Sequence, residues 1–432
     1  MLLAIIVAFN YIVNKNEYRI DITRNRINTL SEQTIKILKN LKDNIHYIAF
    51  IDQASQGAYF RNIMAKYSYY SQKISYEIVD PNKEPLKARA YNVTNYGTVI
   101  ALKGNEESRA DFITEEALSN LIIKLTRAEK KQIYFLSGHM ERALYSEDPD
   151  SYSMVKDRIS SQGYNIDELN ISKTGRIPKD TNLLVIAGAK KRFFDTEVNL
   201  ITDYIKKGGA ILVLSDPSLP EEKLGPNDNV NRVLSKFGII MNNDIIVDPS
   251  ARMFGLTDAM PVVQDYDSSS VISADFKEPT IYPFAQSIDS SKVDTKMYNI
   301  YNFCKTSSSS WGELDSRKGN ISFDKGRDSQ GPLNICVNLV EEKENGVNIV
   351  AFGNSSFVSN KYVSHVANID IFMNSISFLL NDEDLLAIRP RVDESGKVVL
   401  PSSPVFALMS VYIVPIAVLV FGTVYWYRRR RR

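Results

Sequence analysis

From Ser31 the chain reads SEQTIKILKNL, with Ile35, Leu38 and Leu41 at helical spacing, which predicts a capped helix starting at Leu30-Ser31. IHYIAFI (45–51) is a β-rich apolar run, followed by a polar helix carrying Ile63, Met64 and Tyr67. ISYEIVD (74–80) alternates as a strand and is closed by Pro81. A helix near 83–90, GTVIAL (97–102) and a short strand near 107–112 follow. The amphipathic helix TEEALSNLIIKLTR (114–127), with Thr114 as its N-cap, closes the unit. The order β-α-β-α-β-β-α over residues 31–128 is that of a thioredoxin-like module. It lacks CxxC, so the reading is a structural or binding module without redox chemistry.

A second pattern begins at KQIYFLSG (131–138), a strand running into a Gly turn. A helix over about 151–162 ends at Gly163, and NLLVIAGA (182–189) is a continuous apolar strand of the kind buried on both faces. TEVNLITDYIKKGG (196–209) is a helix stopped by Gly-Gly, and AILVLSDP (210–217) is another buried strand. These segments predict a flavodoxin-like α/β domain over 131–386, a doubly wound parallel sheet. Ser runs at 268–270 and 307–310 mark an irregular, β-rich insertion over about 250–340. GVNIVAFGN (346–354) and HVANIDIFMNSISFLL (365–380) return to the domain as strand and helix. Ligands on such sheets bind outside the carboxyl ends of the strands. Ser137, Gly138, His139 and Glu141, then Gly188, then Asp216 and later Asn354, are therefore the candidate ligand or partner positions.

The two ends of the chain are apolar. VFALMSVYIVPIAVLVFGTVYWY (405–427) carries no charge and is long enough for a bilayer core of about 30 Å, which needs about 20 helical residues. Tyr425, Trp426 and Tyr427 suit the headgroup level, and Arg428 to Arg432 then fix the cytoplasmic side. MLLAIIVAFNYIV (1–13) has neither a basic n-region nor a small-residue cleavage site, and reads as an N-terminal anchor, truncated or short. Residues 387–404, with Pro390, Pro401 and Pro404, form a linker into the C-terminal span. Both ends are thus expected in one bacterial inner membrane, with the body between them extracytoplasmic.

Composition sharpens this picture. The net charge of +1 comes from 52 basic and 51 acidic residues, and without the terminal Arg run the body is mildly acidic. That balance gives no bulk electrostatic drive towards nucleic acid. There is no GxxxxGK[ST] and no strand-borne GxGxxG, so any ATP hydrolysis belongs to a partner. His46, His139 and His365 share no metal-ligand spacing, no metal or cofactor is expected, and Asp244, Asp248 and Asp258 lack EF-hand spacing. His139 and Glu141 in SGHMER are the one His–carboxylate pairing at a strand end, the orienting half of a nucleophilic triad. No GxSxG or GxCxG elbow supplies the nucleophile. Cys304 and Cys336 are the two cysteines of the chain, enough for one bridge.

Taken in order, several segments resemble the gliding-motility-associated ABC transporter auxiliary family, GldG-like. They are RIDITRNRINTLSEQTIKILKNL, ISYEIVDPNKEP, YFLSGHMER and IPKDTNLLVIAGAKKRFFDTEVNLITDYIKKGGAILVLSDPS, then AFGNSSFVSNKYVSHVANIDIFMNSISFLL with LLAIRPR. The resemblance implies a non-enzymatic auxiliary subunit with a class I glutamine amidotransferase-like middle domain without its catalytic residues. Its partners would be an ABC ATPase subunit, a permease, the lipid bilayer, and a cargo or envelope component. Two departures stand out. Met140 replaces the second Gly of a GHGE-like turn, and Gly353-Asn354-Ser355-Ser356-Phe357 lacks both acids of a GDSDF-like turn. Two other readings stay open: an envelope hydrolase or amidotransferase using His139 and Glu141, and a glycan-binding envelope module resting on the 23 Tyr.

Overall fold

Ser31 caps α1 (Glu32–Lys39) by accepting a hydrogen bond from the Thr34 amide at 3.1 Å. The computed structural model describes residues 29–382 except 55, 94, 128–129, 219–229, 275 and 315–320, together with Arg430. The apolar runs 1–13 and 405–427 and the linker 387–404 lie outside the described residues, as does the Arg run apart from Arg430. Among the described residues no helix is long and apolar enough to cross a membrane.

The first sheet is built from β1 (Ile45–Phe50), β2 (Ile74–Val79), β3 (Thr98–Lys103) and β4 (Glu106–Ala110) in the order β2-β1-β3-β4. β1 and β2 are parallel, and β3 runs antiparallel to both of its neighbours. α2 (Gly57–Tyr70) and α3 (Pro85–Ala90) connect β1 to β2 and β2 to β3. α4 (Glu115–Thr126) follows β4, capped by Thr114, whose hydroxyl accepts from the Ala117 amide. Tyr47, Phe60, Met64, Tyr67, Leu118 and Ile122 fill the core between this sheet, α2 and α4. Burying such side chains stabilises the module by about 1.5–3 kcal/mol each.

The second sheet has seven strands: β5 (Gln132–Leu136), β6 (Asn165–Leu169), β7 (Thr181–Ala187), β8 (Ala210–Leu214), β14 (Asn299–Lys305), β17 (Asn334–Val340) and β18 (Asn348–Phe352). Its order is β14-β17-β18-β8-β7-β5-β6. From β6 to β18 all neighbours are parallel, and β17 and β14 continue the sheet antiparallel. Among β5, β6, β7, β8 and β18 this is the 2-1-3-4-5 winding, whose crevice lies between the first and third strands, here β5 and β7. The strand period of two sends alternate side chains to opposite faces. Leu183, Val185, Leu212 and Phe352 join α9 (Asn368–Leu379) and α5 (Ser153–Ser161) on one face. Leu184, Ile186, Ile211 and Val213 join α7 (Asp195–Lys206) and α8 (Asn231–Leu234) on the other. The short α6 (Ile171–Thr174) follows β6.

The irregular insertion is a more varied object than its sequence predicts. Short strands β9 (Ile240–Met241), β10 (Ile245–Val247), β11 (Val262–Val263), β12 (Thr280–Ile281), β13 (Ile288–Asp289), β15 (Trp311–Glu313) and β16 (Ser329–Gln330) form small antiparallel sheets. β14 and β17, although they fall within 250–340, belong to the main sheet. β17 is buried from Ile335 to Leu339, so its apolar run marks a central strand. β6, with the exposed face of a polar edge strand, was absent from the sequence pattern because NIDEL shows no apolar alternation. Arg158 on α5 pairs with Glu116 on α4 across the two sheets, which belong to one compact unit.

Candidate functional site at the strand ends

The turn after β5 is sharply shaped. Gly138 has φ +117°, a backbone conformation that calls for glycine, and a Cβ there would also press on the Asn170 side-chain Nδ2 at 2.7 Å. Met140 takes φ +60°, a left-handed conformation that costs a non-glycine residue about 1 kcal/mol. A glycine at this place in the GHGE-like pattern therefore has a conformational reason, and Met140 tolerates the strain with its side chain exposed. The His139 carbonyl accepts from the Lys190 and Lys191 amides at 2.8 and 2.9 Å. The turn after β5 is thereby laced to the turn after β7 across the crevice of the sheet.

His139 itself is buried between two carboxylates. Its Nε2 lies 3.0 Å from Glu197 Oε2 and its Nδ1 lies 3.4 Å from Glu141 Oε1. The second contact is a charge contact without hydrogen-bond alignment. Glu141 Oε2 also accepts from the His139 amide at 2.7 Å, and burial raises the Glu141 pKa against the lowering pull of His139. Glu197 is fixed from the other side, accepting from Ser172 Oγ at 2.6 Å and from the Phe194 amide at 2.8 Å. That amide bond makes Glu197 the reach-back residue at the start of α7. Phe193 covers the imidazole edge to face at 4.9 Å. In the imidazolium form both ring nitrogens donate, and here each faces an acceptor. Among the described residues, neither nitrogen faces a hydroxyl or thiol from which it could take a proton.

A second cluster joins the ends of β7, β8 and β18. The Arg142 guanidinium donates to Asp216 Oδ2 at 3.0 Å, Ser355 Oγ at 2.8 Å, Ser356 Oγ at 2.7 Å and the Asp150 carbonyl at 2.9 Å. Burial acts against its charge, and Asp216 outweighs that penalty, holding the Arg142 pKa above its ordinary value. Asp216 Oδ1 accepts from the Ser355 amide at 2.6 Å, and Ser355 Oγ donates to Oδ2. Asn354 donates to the Pro283 carbonyl at 2.6 Å and accepts from the Phe357 amide at 2.7 Å. Gly188 has φ +68°, and a Cβ there would lie 2.6 Å from Ser355 Oγ. The cluster is a polar clamp, filled by its own side chains.

The seven positions singled out from sequence thus separate into two neighbouring groups. Gly188, Asp216 and Asn354 meet in the Arg142 clamp, while His139 and Glu141 pair in the crevice turn with Ser137 and Gly138. Ser137 extends the ladder to the Leu169 carbonyl at 2.9 Å. Sequence reasoning missed Glu197, Arg142 and Ser355. Glu197 looks like an ordinary helix N-terminal acid, and nothing in the sequence beside the His–Glu pair sets Arg142 apart. The acids Asp244, Asp248 and Asp258 do not converge. Asp244 is held by Ser287, Asp248 by Ser250 and Ser307, and Asp258 by Arg252. Among the described residues, no group of three or more His, Cys, Asp or Glu is disposed to hold a metal ion.

A parallel α/β sheet with a strand-end clamp is a scaffold that many functions share. Comparison with known proteins places this one more closely. Residues 130–382 match the family described as an ABC-type uncharacterized transport system, and the chain belongs to that family of ABC transporter auxiliary proteins. Residues 24–120 match a domain of unknown function (DUF7088). No curated protein matches the chain. Among solved structures, the mmIFT52 N-terminal domain is similar at 19% identity and a TM-score of 0.43, covering 57% of this chain and 97% of that one. A ThuA-like protein from Bacteroides uniformis is similar at 10% identity and a TM-score of 0.34, covering 58% of this chain and 91% of that one. An N-terminal domain of alkylhydroperoxide reductase AhpF from Enterococcus faecalis is similar at 19% identity and a TM-score of 0.20. It covers 33% of this chain and 79% of that one.

Proposed function

We propose that the protein is a non-enzymatic, membrane-anchored extracytoplasmic subunit of an ABC transporter, of the gliding-motility type. It works by contact: its terminal apolar runs pack on the permease in the bilayer, beside the ATPase subunit's cytoplasmic side. A thioredoxin-like module and an amidotransferase-like module are presented outside to cargo or an envelope component. The carrying observation is the match of residues 130–382 to an ABC-type transport-system family, in a chain whose sequence is apolar over 1–13 and 405–427. On the described body, Lys36, Ile37 and Asn40 at the C-terminal end of α1 line a cavity of about 420 Å³ together with Asp382. From Asp382 the chain continues into the linker and the C-terminal apolar run. Lys131 at 2.7 Å, Arg127 at 3.2 Å and the Tyr164 hydroxyl at 2.9 Å pin Asp382 in place.

The non-enzymatic part of the reading is supported by the crevice. Both nitrogens of His139 face carboxylates, where a nucleophilic triad needs one of them to face the nucleophile. Topology is testable directly. Asn105, exposed in the turn between β3 and β4, is a suitable position for Asn105→Cys, because both native cysteines are buried. The introduced thiol should react with a membrane-impermeant maleimide in intact spheroplasts. Labelling only after lysis would contradict the extracytoplasmic placement.

A further inference from the structure

Cys304 on β14 and Cys336 on β17 are register partners in the antiparallel pair at the edge of the main sheet. Directly opposed residues in such a pair have Cα atoms about 4.5–5.5 Å apart, inside the range a disulfide spans. Both side chains are fully buried. The Tyr282 hydroxyl lies 3.5 Å from the Cys304 sulfur and 3.6 Å from that of Cys336. Both thiols are free in the structure, and the chain contains no third cysteine to compete for either.

We propose that Cys304 and Cys336 are joined by a cross-strand disulfide in the functioning protein. The proposal rests on the extracytoplasmic reading above, because disulfides persist in oxidising compartments and thiols in reducing ones. β14 is the edge strand of the main sheet, bridged on its outer side by Tyr266 at Cys304, and its pairing with β17 shifts register on either side of Cys304. A covalent link at this point would fasten that edge to β17 and limit opening of the insertion that runs from β14 to β17.

The chemistry is thiol–disulfide exchange with a disulfide-bearing oxidant, either a small-molecule disulfide or a disulfide oxidoreductase. One cysteine thiolate attacks a sulfur of the oxidant R–S–S–R, forming a mixed disulfide and releasing R–S⁻. The second thiolate attacks the cysteine sulfur of that mixed disulfide, forming the Cys304–Cys336 bond and releasing a second R–S⁻. Two thiols lose two electrons and two protons, and the oxidant becomes two thiols. Burial pushes the Cys336 thiol well above its usual range, and both thiols are shielded from an external disulfide in the closed sheet. Exchange therefore takes place before β14 docks on β17, or during local opening of the edge.

The alternative role for two buried thiols is packing alone, as small hydrophobes. The two roles are separated by counting thiols. The full chain in its native membrane is quenched in acid, denatured and alkylated with a mass-tagging maleimide, with and without prior reduction. The expected result is no tag before reduction and two tags after it. In a second arm, the reduced full chain in detergent is opened with moderate urea in oxidised glutathione and then returned to native buffer. It should acquire one intramolecular bridge, which Cys336→Ser abolishes. Failure to bridge in this arm overturns the proposal whatever compartment the protein occupies. Ready bridging there, with two free thiols in native membranes, would overturn the native disulfide and the extracytoplasmic reading together, leaving the geometry of the pair intact.

Discussion

Replacing His139 with Ala lowers the unfolding free energy by about 1.5–3 kcal/mol at pH 7, the range for losing a buried hydrogen bond to a charged group. The cause is the pair of carboxylates left facing each other across the vacated crevice. Glu197 keeps Ser172 and the Phe194 amide as donors, and Glu141 keeps the amide of residue 139. Neither retains the imidazole as a partner. The pH dependence follows from Glu141, whose folded pKa is already raised by burial while His139 pulls it back. A carboxyl whose folded pKa exceeds its unfolded value binds its proton more tightly when folded. Its contribution is most favourable below the unfolded value of 4.5 and declines as pH rises through the raised folded value. Without His139 that window widens upwards, so the deficit of His139→Ala should shrink as pH falls from 7 towards 5. Thermal or urea unfolding of the wild type and variant at both pH values measures this. A deficit that does not change with pH would place the loss in packing rather than charge. Glu197→Gln keeps the reach-back geometry at the start of α7 and should cost far less, about 1 kcal/mol.

Arg142→Met should destabilise the protein by about 2–4 kcal/mol, because it empties the centre of the strand-end clamp. The guanidinium binds four acceptors and is nearly buried, whereas Asp216 keeps two donors from Ser355 when the arginine is lost. A double-mutant cycle with Asp216→Asn isolates their interaction, with a coupling of about 1–3 kcal/mol expected for contacting charges. Additive single effects would mean that Arg142 acts through the serines and the Asp150 carbonyl instead.

The elements that sequence made legible are those whose physics is local. Thr114 and Ser31 announce helix starts because a hydroxyl there has a backbone amide to cap. β7 and β8 announce themselves because strands covered on both faces must be apolar throughout. The winding of the sheet then puts the turns after β5 and β7 side by side, and the strand-end positions follow from that order alone. What stayed hidden is non-local. Glu197 sits 58 residues after His139 in a segment whose acid is fully explained by helix capping, so nothing in its neighbourhood betrays the second task. Arg142 adjoins the His–Glu pair in sequence but turns to the opposite group, where its partners come from Asp150, Asp216 and the Ser355-Ser356 turn. The two departures from the family pattern also become intelligible. Met140 occupies a left-handed position, and the acids missing after Gly353 are replaced by side chains that take part in the clamp: Asn354 binds backbone and Ser356 accepts from Arg142.

The reading of the protein as a working part of a larger assembly makes one demand above the others. Affinity purification of the full chain from native membranes in mild detergent should recover an ATPase subunit carrying a phosphate-binding loop and a polytopic permease, in stable proportion to the bait. Recovery of the chain alone, under conditions that keep other membrane assemblies together, would contradict its role as a transporter subunit.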